Sequence, residues 1–316
     1  MKFENLNSWI EGYFYNPSIL QRAVSILFLP LTAIYCTVVI TKRVLCKSKD
    51  FDIPIISIGN LTVGGSGKTP FLIEVAKRYE DVFVILRGYK RESKDIIIVS
   101  KNGEILTDVK KSGDEAMLIA KSLPKASVIV SKDRIKAIRL AKENKAKVIF
   151  LDDAFHRCEI KKFDILIKRN LKNSFCLPSG PYREPKSFEK YADLVVEEGK
   201  DFKRVVNILN PTKNMLLVTA IANPKRLDKY IPKNIKKIYF EDHHFFTKEE
   251  IKEIINKFHP TSLLVTQKDA VKLENFNLNL SILDLKLKID RNILKKIDKY
   301  IKDYYAKENT DSSNAS

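Results

Sequence analysis

The chain has 316 residues, 44% of them hydrophobic and 30% charged, with a formal net charge of +18. That length can bury a large core and suits two lobes better than one, and the ordinary apolar content excludes a disordered or fibrous chain. The charge points to an anionic partner (nucleic acid, an anionic membrane surface or a phosphorylated substrate), although the lysines are spread along the whole chain, as on any solvated basic surface.

Trp9, Tyr13, Phe14 and Tyr15 give the first residues aromatic bulk. Residues 23–40 then carry no charge and are apolar on every face, near the lower limit of about 17–20 residues for crossing a bilayer. Lys42, Arg43, Lys47 and Lys49 follow at once, which would hold the downstream chain in the cytoplasm. Pro30 would kink a helix here. Three readings compete: a transmembrane span, a helix lying in the membrane interface, or a buried helix of the soluble fold. No small-residue cleavage site follows to mark a signal peptide. Cys36, Cys46, Cys158 and Cys176 lack CxxC spacing and a nearby His set, so they read as reduced thiols of a cytoplasmic chain.

The apolar strand Ile53–Ile58 runs into Gly59-Asn60-Leu61-Thr62-Val63-Gly64-Gly65-Ser66-Gly67-Lys68-Thr69-Pro70, and an amphipathic helix follows to about Tyr79. Strand, glycine-rich turn and helix are the context of a phosphate-binding P-loop. Backbone N–H groups from Thr62 to Thr69 would surround phosphate oxygens, Lys68 would reach the terminal phosphates, and the Thr69 hydroxyl would ligate Mg²⁺. Thr62 stands where the usual pattern has its first glycine.

Further along, Asp81–Leu86 reads as a buried parallel strand ending in the basic loop Arg87–Arg91, and a short hairpin turns at Asn102-Gly103. Gly113-Asp114 opens a helix, where Asp114 is either an N-cap or a catalytic carboxylate. Arg134 lies near the start of the helix Asp133–Asn144. Val148–Asp153 is an apolar strand ending in two aspartates, the form of a Walker B strand, with Asp152 able to hold Mg²⁺. The loop Leu177–Pro185 has three prolines and presents Arg183 beside Glu184, either a surface ion pair or part of a site. The pattern of strands and helices restarts near residues 205–213. It includes Asp242-His243-His244, a Thr247–Glu250 capping box, and a last strand from Leu280 to Ile289.

These motifs, in this order, resemble the lipid A 4′-kinases (tetraacyldisaccharide 4′-kinases), membrane-associated P-loop kinases of Gram-negative lipid A synthesis. The residues that carry the resemblance are Gly59-Asn60, Gly64–Pro70, Arg87-Gly88-Tyr89, Gly113-Asp114-Glu115, Asp133-Arg134, Leu151–Asp153, Leu177–Pro185, Asp242–His244 and Thr266-x-Lys268-Asp269. The family's P-loop also lacks the first glycine. Two segments depart from its pattern: Asp-Asp-Gly-Phe-Gln-His is Asp152–Arg157 with Ala154, His156 and Arg157, and Gly-Asp-Glu-Pro ends in Ala116.

The resemblance implies an α/β fold. A P-loop NTPase-type, mainly parallel sheet with helices on both faces (51–208) follows an N-terminal hydrophobic helix in a membrane-associating segment (1–50). A smaller C-terminal α/β lobe (209–306) and a disordered tail (307–316) complete it. It implies ATP-dependent phosphorylation of the 4′-hydroxyl of tetraacyldisaccharide 1-phosphate to lipid IVA, at the cytoplasmic face of the bacterial inner membrane. Asp114, His243 and Lys68 would be catalytic, with Mg²⁺ on Thr69, Asp152 and Glu184. Asn60, Arg87, Arg134, Asp153 and Arg183 would bind substrate. No obligate protein partner is implied. A membrane-associated regulatory P-loop ATPase is the alternative, which gives no reason for Asp114 and His243. A nucleic-acid module is disfavoured by dispersed charge and the lack of any helix-turn-helix, RRM or zinc pattern.

Overall fold

The computed structural model describes residues 2–313, with side chains from residue 9 to residue 307. Three helices, α1 (Lys2–Tyr15), α2 (Ile19–Leu27) and α3 (Leu29–Val44), precede the first strand. The nucleotide lobe then runs β1 (Ile55–Gly59), α4 (Lys68–Ala76), β2 (Val82–Leu86), β3 (Ile97–Lys101), β4 (Glu104–Ile105), α5 (Val109–Ser112), α6 (Asp114–Ser122), β5 (Ser127–Val130), α7 (Arg134–Glu143), β6 (Val148–Asp152), β7 (Phe163–Lys168) and β8 (Leu194–Glu197). The second lobe runs β9 (Phe202–Leu209), β10 (Met215–Thr219), β11 (Lys236–Tyr239), α8 (Lys248–Phe258), β12 (Ser262–Thr266), α9 (Gln267–Leu273) and β13 (Leu280–Ile289), and α10 (Arg291–Ser313) closes the chain.

The first sheet has the order β4-β3-β5-β2-β6-β1-β7-β8. It is parallel except at β3, which is antiparallel to β5 and β4. Its central strands are buried along their whole length, as strands covered on both faces must be. Ile58 pairs with Asp152, so the P-loop and the end of β6 leave the same sheet edge side by side. The second sheet, β11-β10-β12-β13-β9, is parallel except for β9, which lies antiparallel to β13.

Three expectations change, and one set of alternatives narrows. The second sheet begins at β9, before the expected boundary at 209, and α10 returns to the first lobe. There Ile293, Ile297 and Ile301 join the core around Ile56 and Phe71, and the Tyr300 hydroxyl donates to the Ile55 carbonyl at 3.2 Å. The backbone of α10 stays helical to Ser313, where a disordered tail was expected; Asn314–Ser316 lie outside the described residues. Cys46 and Cys158 form a disulfide, so only Cys36 and Cys176 are free thiols. The cause is tertiary: the segment after β6 runs back past the end of α3, bonded to it through Lys49 and Glu159 at 2.9 Å. Finally, α2 and α3 do not make a buried helix. They are bent by 58° at a break where Pro30 opens α3, and among the described residues no single helix is long and apolar enough to cross a membrane, though the pair together meets that test. Their amphipathicity is inverted. Gln21, Ser25 and Thr32 face the protein, with Thr32 Oγ1 2.7 Å from Ser179 Oγ, while Ile19 (85%), Leu20 (80%) and Leu27 (75%) are exposed.

Candidate active site

A cavity of about 1500 Å³ lies between the lobes, lined by the P-loop, Arg87, Glu115, Asp152, Asp153, Glu184, Arg204, Arg226, His243 and Lys268 among others. Gly64 and Gly67 both have φ of +84°, a left-handed conformation that a side chain would strain, and Gly67 caps α4. The beginning of the predicted phosphate set is structural. Thr62 bridges to Tyr182 and accepts from Asn60 Nδ2 at 2.9 Å through its carbonyl. The Val63 N–H donates to the Pro181 carbonyl at 2.8 Å, and the Val63 carbonyl accepts from the Tyr15 hydroxyl at 2.9 Å. The proline-rich loop and α1 therefore hold the P-loop from two sides, and the Val63 N–H is engaged within the protein.

Asn60 is a junction. Its Oδ1 accepts from Lys68 Nζ at 3.0 Å and from Arg183 Nη2 at 2.8 Å. Arg183 also grips Asp153 through both terminal nitrogens, at 2.9 and 2.8 Å, and Lys68 lies 3.5 Å from the same carboxylate. Burial would raise the Asp153 carboxyl, but the Arg183 bond and the Lys68 charge hold it well below the usual range. Arg134, expected to bind substrate, is buried and donates to the carbonyls of Ser131 (2.7 Å) and Asp152 (3.0 Å), so it braces the end of β6. Arg87 is exposed to the cavity. Ala154 is fully buried, so the altered motif accommodates its extra methyl, and His156 and Arg157 line the cavity mouth.

Asp152 Oδ1 is buried without a hydrogen-bond partner. Burial first, then the charge of Glu115, pushes this carboxyl up to about 7. An orphaned carboxylate oxygen in the cavity that Thr69 also lines fits a hard divalent cation, which prefers oxygen ligands. Glu184 lines the same cavity and is 8% exposed, but its charge is not among those that act most on Asp152. Glu115 faces Asp152 instead, and sequence reasoning gave it no role.

The two lobes meet in a dyad. His243 Nδ1 lies 3.0 Å from both oxygens of Asp114, which is 2% exposed. Asp114 begins α6 of the first lobe, while His243 follows β11 in the second with φ of +65°, its N–H donating to the Ala220 carbonyl at 3.1 Å. Lys268 Nζ donates to His243 Nε2 at 3.3 Å, which assigns the Nδ1 proton to the bond with Asp114. Lys268 also stands 3.7 Å from Asp114 and 3.5 Å from Glu115. Burial opposes ionisation of Asp114, but the His243 bond and the charges of Lys268 and Lys272 outweigh it and lower the carboxyl. His244 points elsewhere, 3.0 Å from Glu250, and fixes its own loop. Lys268 was visible as part of Thr266-x-Lys268-Asp269, but nothing in the sequence marked it as a neighbour of the dyad.

A P-loop beside a strand-end aspartate, faced across a cleft by an Asp–His pair, defines a phosphotransferase of the P-loop kinase class. The family model described as Tetraacyldisaccharide-1-P 4′-kinase matches residues 24–302. The chain belongs to this family and is a kinase. It is 56% identical over 299 residues to the tetraacyldisaccharide 4′-kinase of Aliarcobacter butzleri (92% of this chain, 95% of that one). It is 40% identical over 303 residues to that of Campylobacter jejuni (95% and 98%). The crystal structure of LpxK from Aquifex aeolicus in complex with ATP matches with a TM-score of 0.73 and 30% identity, covering 89% of this chain and 99% of that one. The likeness favours the kinase reading over a regulatory ATPase.

Proposed function

We propose that this chain transfers the γ-phosphoryl group of ATP to the 4′-hydroxyl of a tetraacylated glucosamine disaccharide 1-phosphate, giving lipid IVA in lipid A synthesis. The observation that carries the reading is the Asp114–His243 pair at 3.0 Å, opposite the P-loop. A sugar hydroxyl attacks well only as its proton leaves, and this pair is the proton acceptor in the cleft. Lys68 balances charge on the transferring phosphoryl group. Thr69 and Asp152 would hold Mg²⁺, which when bound neutralises phosphate charge. Arg183 and Asn60 fix Asp153 and Lys68 in place. The test is transfer of ³²P from γ-labelled ATP to the purified lipid in detergent micelles. The wild type yields labelled lipid, and Lys68→Ala and Asp114→Ala lose it. ATP hydrolysis without labelled lipid would favour the ATPase.

The lipid acceptor resides in a bilayer, so the enzyme works at a membrane surface, on the cytoplasmic face of the inner membrane. The exposed apolar faces of α2 and α3, with Lys42 and Arg43 at the helix end, support this. Liposomes containing anionic lipid are expected to co-float the wild type, and a Leu20→Ser/Leu27→Ser/Leu31→Ser variant to stay in the soluble fraction. Equal flotation of both would refute the assignment of that face.

A further inference from the structure

Two arginines of the second lobe reach the phosphate loop and have no part in the mechanism above. A Cβ built on Gly65 would lie 3.1 Å from Arg226 Nη1, and one built on Gly67 would lie 2.8 Å from Arg204 Nη2. Arg204 sits on β9, and Glu198 engages its Nε at 2.9 Å, so Nη2 remains beside the loop. Arg226 lies in the 3₁₀ turn Pro224–Tyr230, exposed to the cleft, and makes no hydrogen bond or ion pair among the described residues. Its nearby carboxylates are Glu11, Glu198 and Asp242, while Arg204 and Arg169 add like charge. Arg226, with no partner of its own among the described residues, is a cation that a polyanion in the cleft would stabilise.

The loop itself is short of donors. Gly67 gives no side-chain cap, so the first turn of α4 offers the N–H groups of Lys68 and Thr69 only; Pro70 has none, and the Phe71 N–H donates to the Gly67 carbonyl at 3.2 Å. At the other end, the Val63 N–H is taken by Pro181. We propose that Arg204 and Arg226 are nucleotide-binding residues supplied by the second lobe, whose guanidinium groups close over the β- and γ-phosphates of a nucleoside triphosphate on the P-loop and replace the donors that Val63 and Pro70 withhold. The proposal rests on the ATP reading above and adds to it a reason for the second lobe to close when nucleotide is present.

The experiment is equilibrium binding of radiolabelled ATP and AMP to the full chain in detergent, for wild type, Arg226→Gln, Arg226→Lys and Arg204→Gln/Arg226→Gln, with thermal unfolding of each variant. Arg226→Gln is expected to weaken ATP roughly tenfold, the value of one charge-assisted bond, with partial recovery in Arg226→Lys. AMP, which lacks the gripped phosphates, should change by less than about twofold. In turnover, KM for ATP rises and KM for the lipid does not. ATP affinity within about twofold of wild type in a folded double variant, or AMP weakened as much as ATP, overturns the clamp. Arg226→Gln leaves no partner unpaired, so it decides the matter even where Arg204→Gln unfolds. A wild type that binds no ATP overturns the nucleotide reading itself, and the clamp with it.

Discussion

Asp114 and Asp152 belong to one site and are 2% and 5% exposed, yet they titrate in opposite directions. Burial pushes both upward. Around Asp114 the His243 bond and two lysines reverse that push, whereas Asp152 faces Glu115 and ends near 7. Partners, rather than depth, decide the charge of a buried carboxylate. The aspartate left short of partners is suited to take up a cation, and the saturated one is suited to hold an imidazole.

The largest effect should come from breaking the saturated aspartate. Asp114→Ala and His243→Ala are each expected to lower kcat about 10³-fold, and the double variant little further, because the two act as one acceptor. Steady-state kinetics of the three variants checks this. Asp152→Asn breaks the other: cation-dependent turnover falls about 10²-fold while the free protein gains stability at pH 8. The sign follows from the raised value. Between the unfolded carboxylate value and about 7 the folded state binds the extra proton, so Asp152 costs stability as pH rises through that window. Melting temperature should therefore rise by about 2–4 °C per kcal/mol recovered at pH 8 and stay unchanged near pH 4. The smallest change sharpens the contrast. Glu115→Gln removes the like charge facing Asp152, so the stability gained at pH 8 by Asp152→Asn should be smaller in that background, as thermal unfolding of the single and double variants checks.

The local half of this site was legible in the sequence. The P-loop and the Asp152 strand are contiguous, and their apolar runs announce buried parallel strands that share an edge. The Asp114–His243 bond was not legible from local pattern, since it joins residues far apart in different lobes; only the resemblance paired them. Arg134 lines the cavity, and its bonds to the Ser131 and Asp152 carbonyls were not legible, because a basic residue near a sheet edge looks the same whether it meets a ligand or the backbone. That the Val63 N–H goes to Pro181 was not legible either, because that partner is set by tertiary packing. The Cys46–Cys158 bond was hidden for the same reason, and β9 was assigned to the wrong side of the lobe boundary because its alternating pattern fits an edge of either sheet.

The return of α10 also bears on how the protein is made. Ile289 pairs with Phe202, so the chain enters and leaves the second lobe at one point, and that lobe is an insertion within the first. The Tyr300 ring stacks on Phe163 at 4.8 Å, and the Tyr79 hydroxyl donates to Asp298 at 2.5 Å. The part of the sheet around Ile56 and Phe163 that α10 covers therefore stays open on the ribosome until Arg291–Tyr305 have emerged. The inserted lobe, whose strands are all synthesised by then, can fold first.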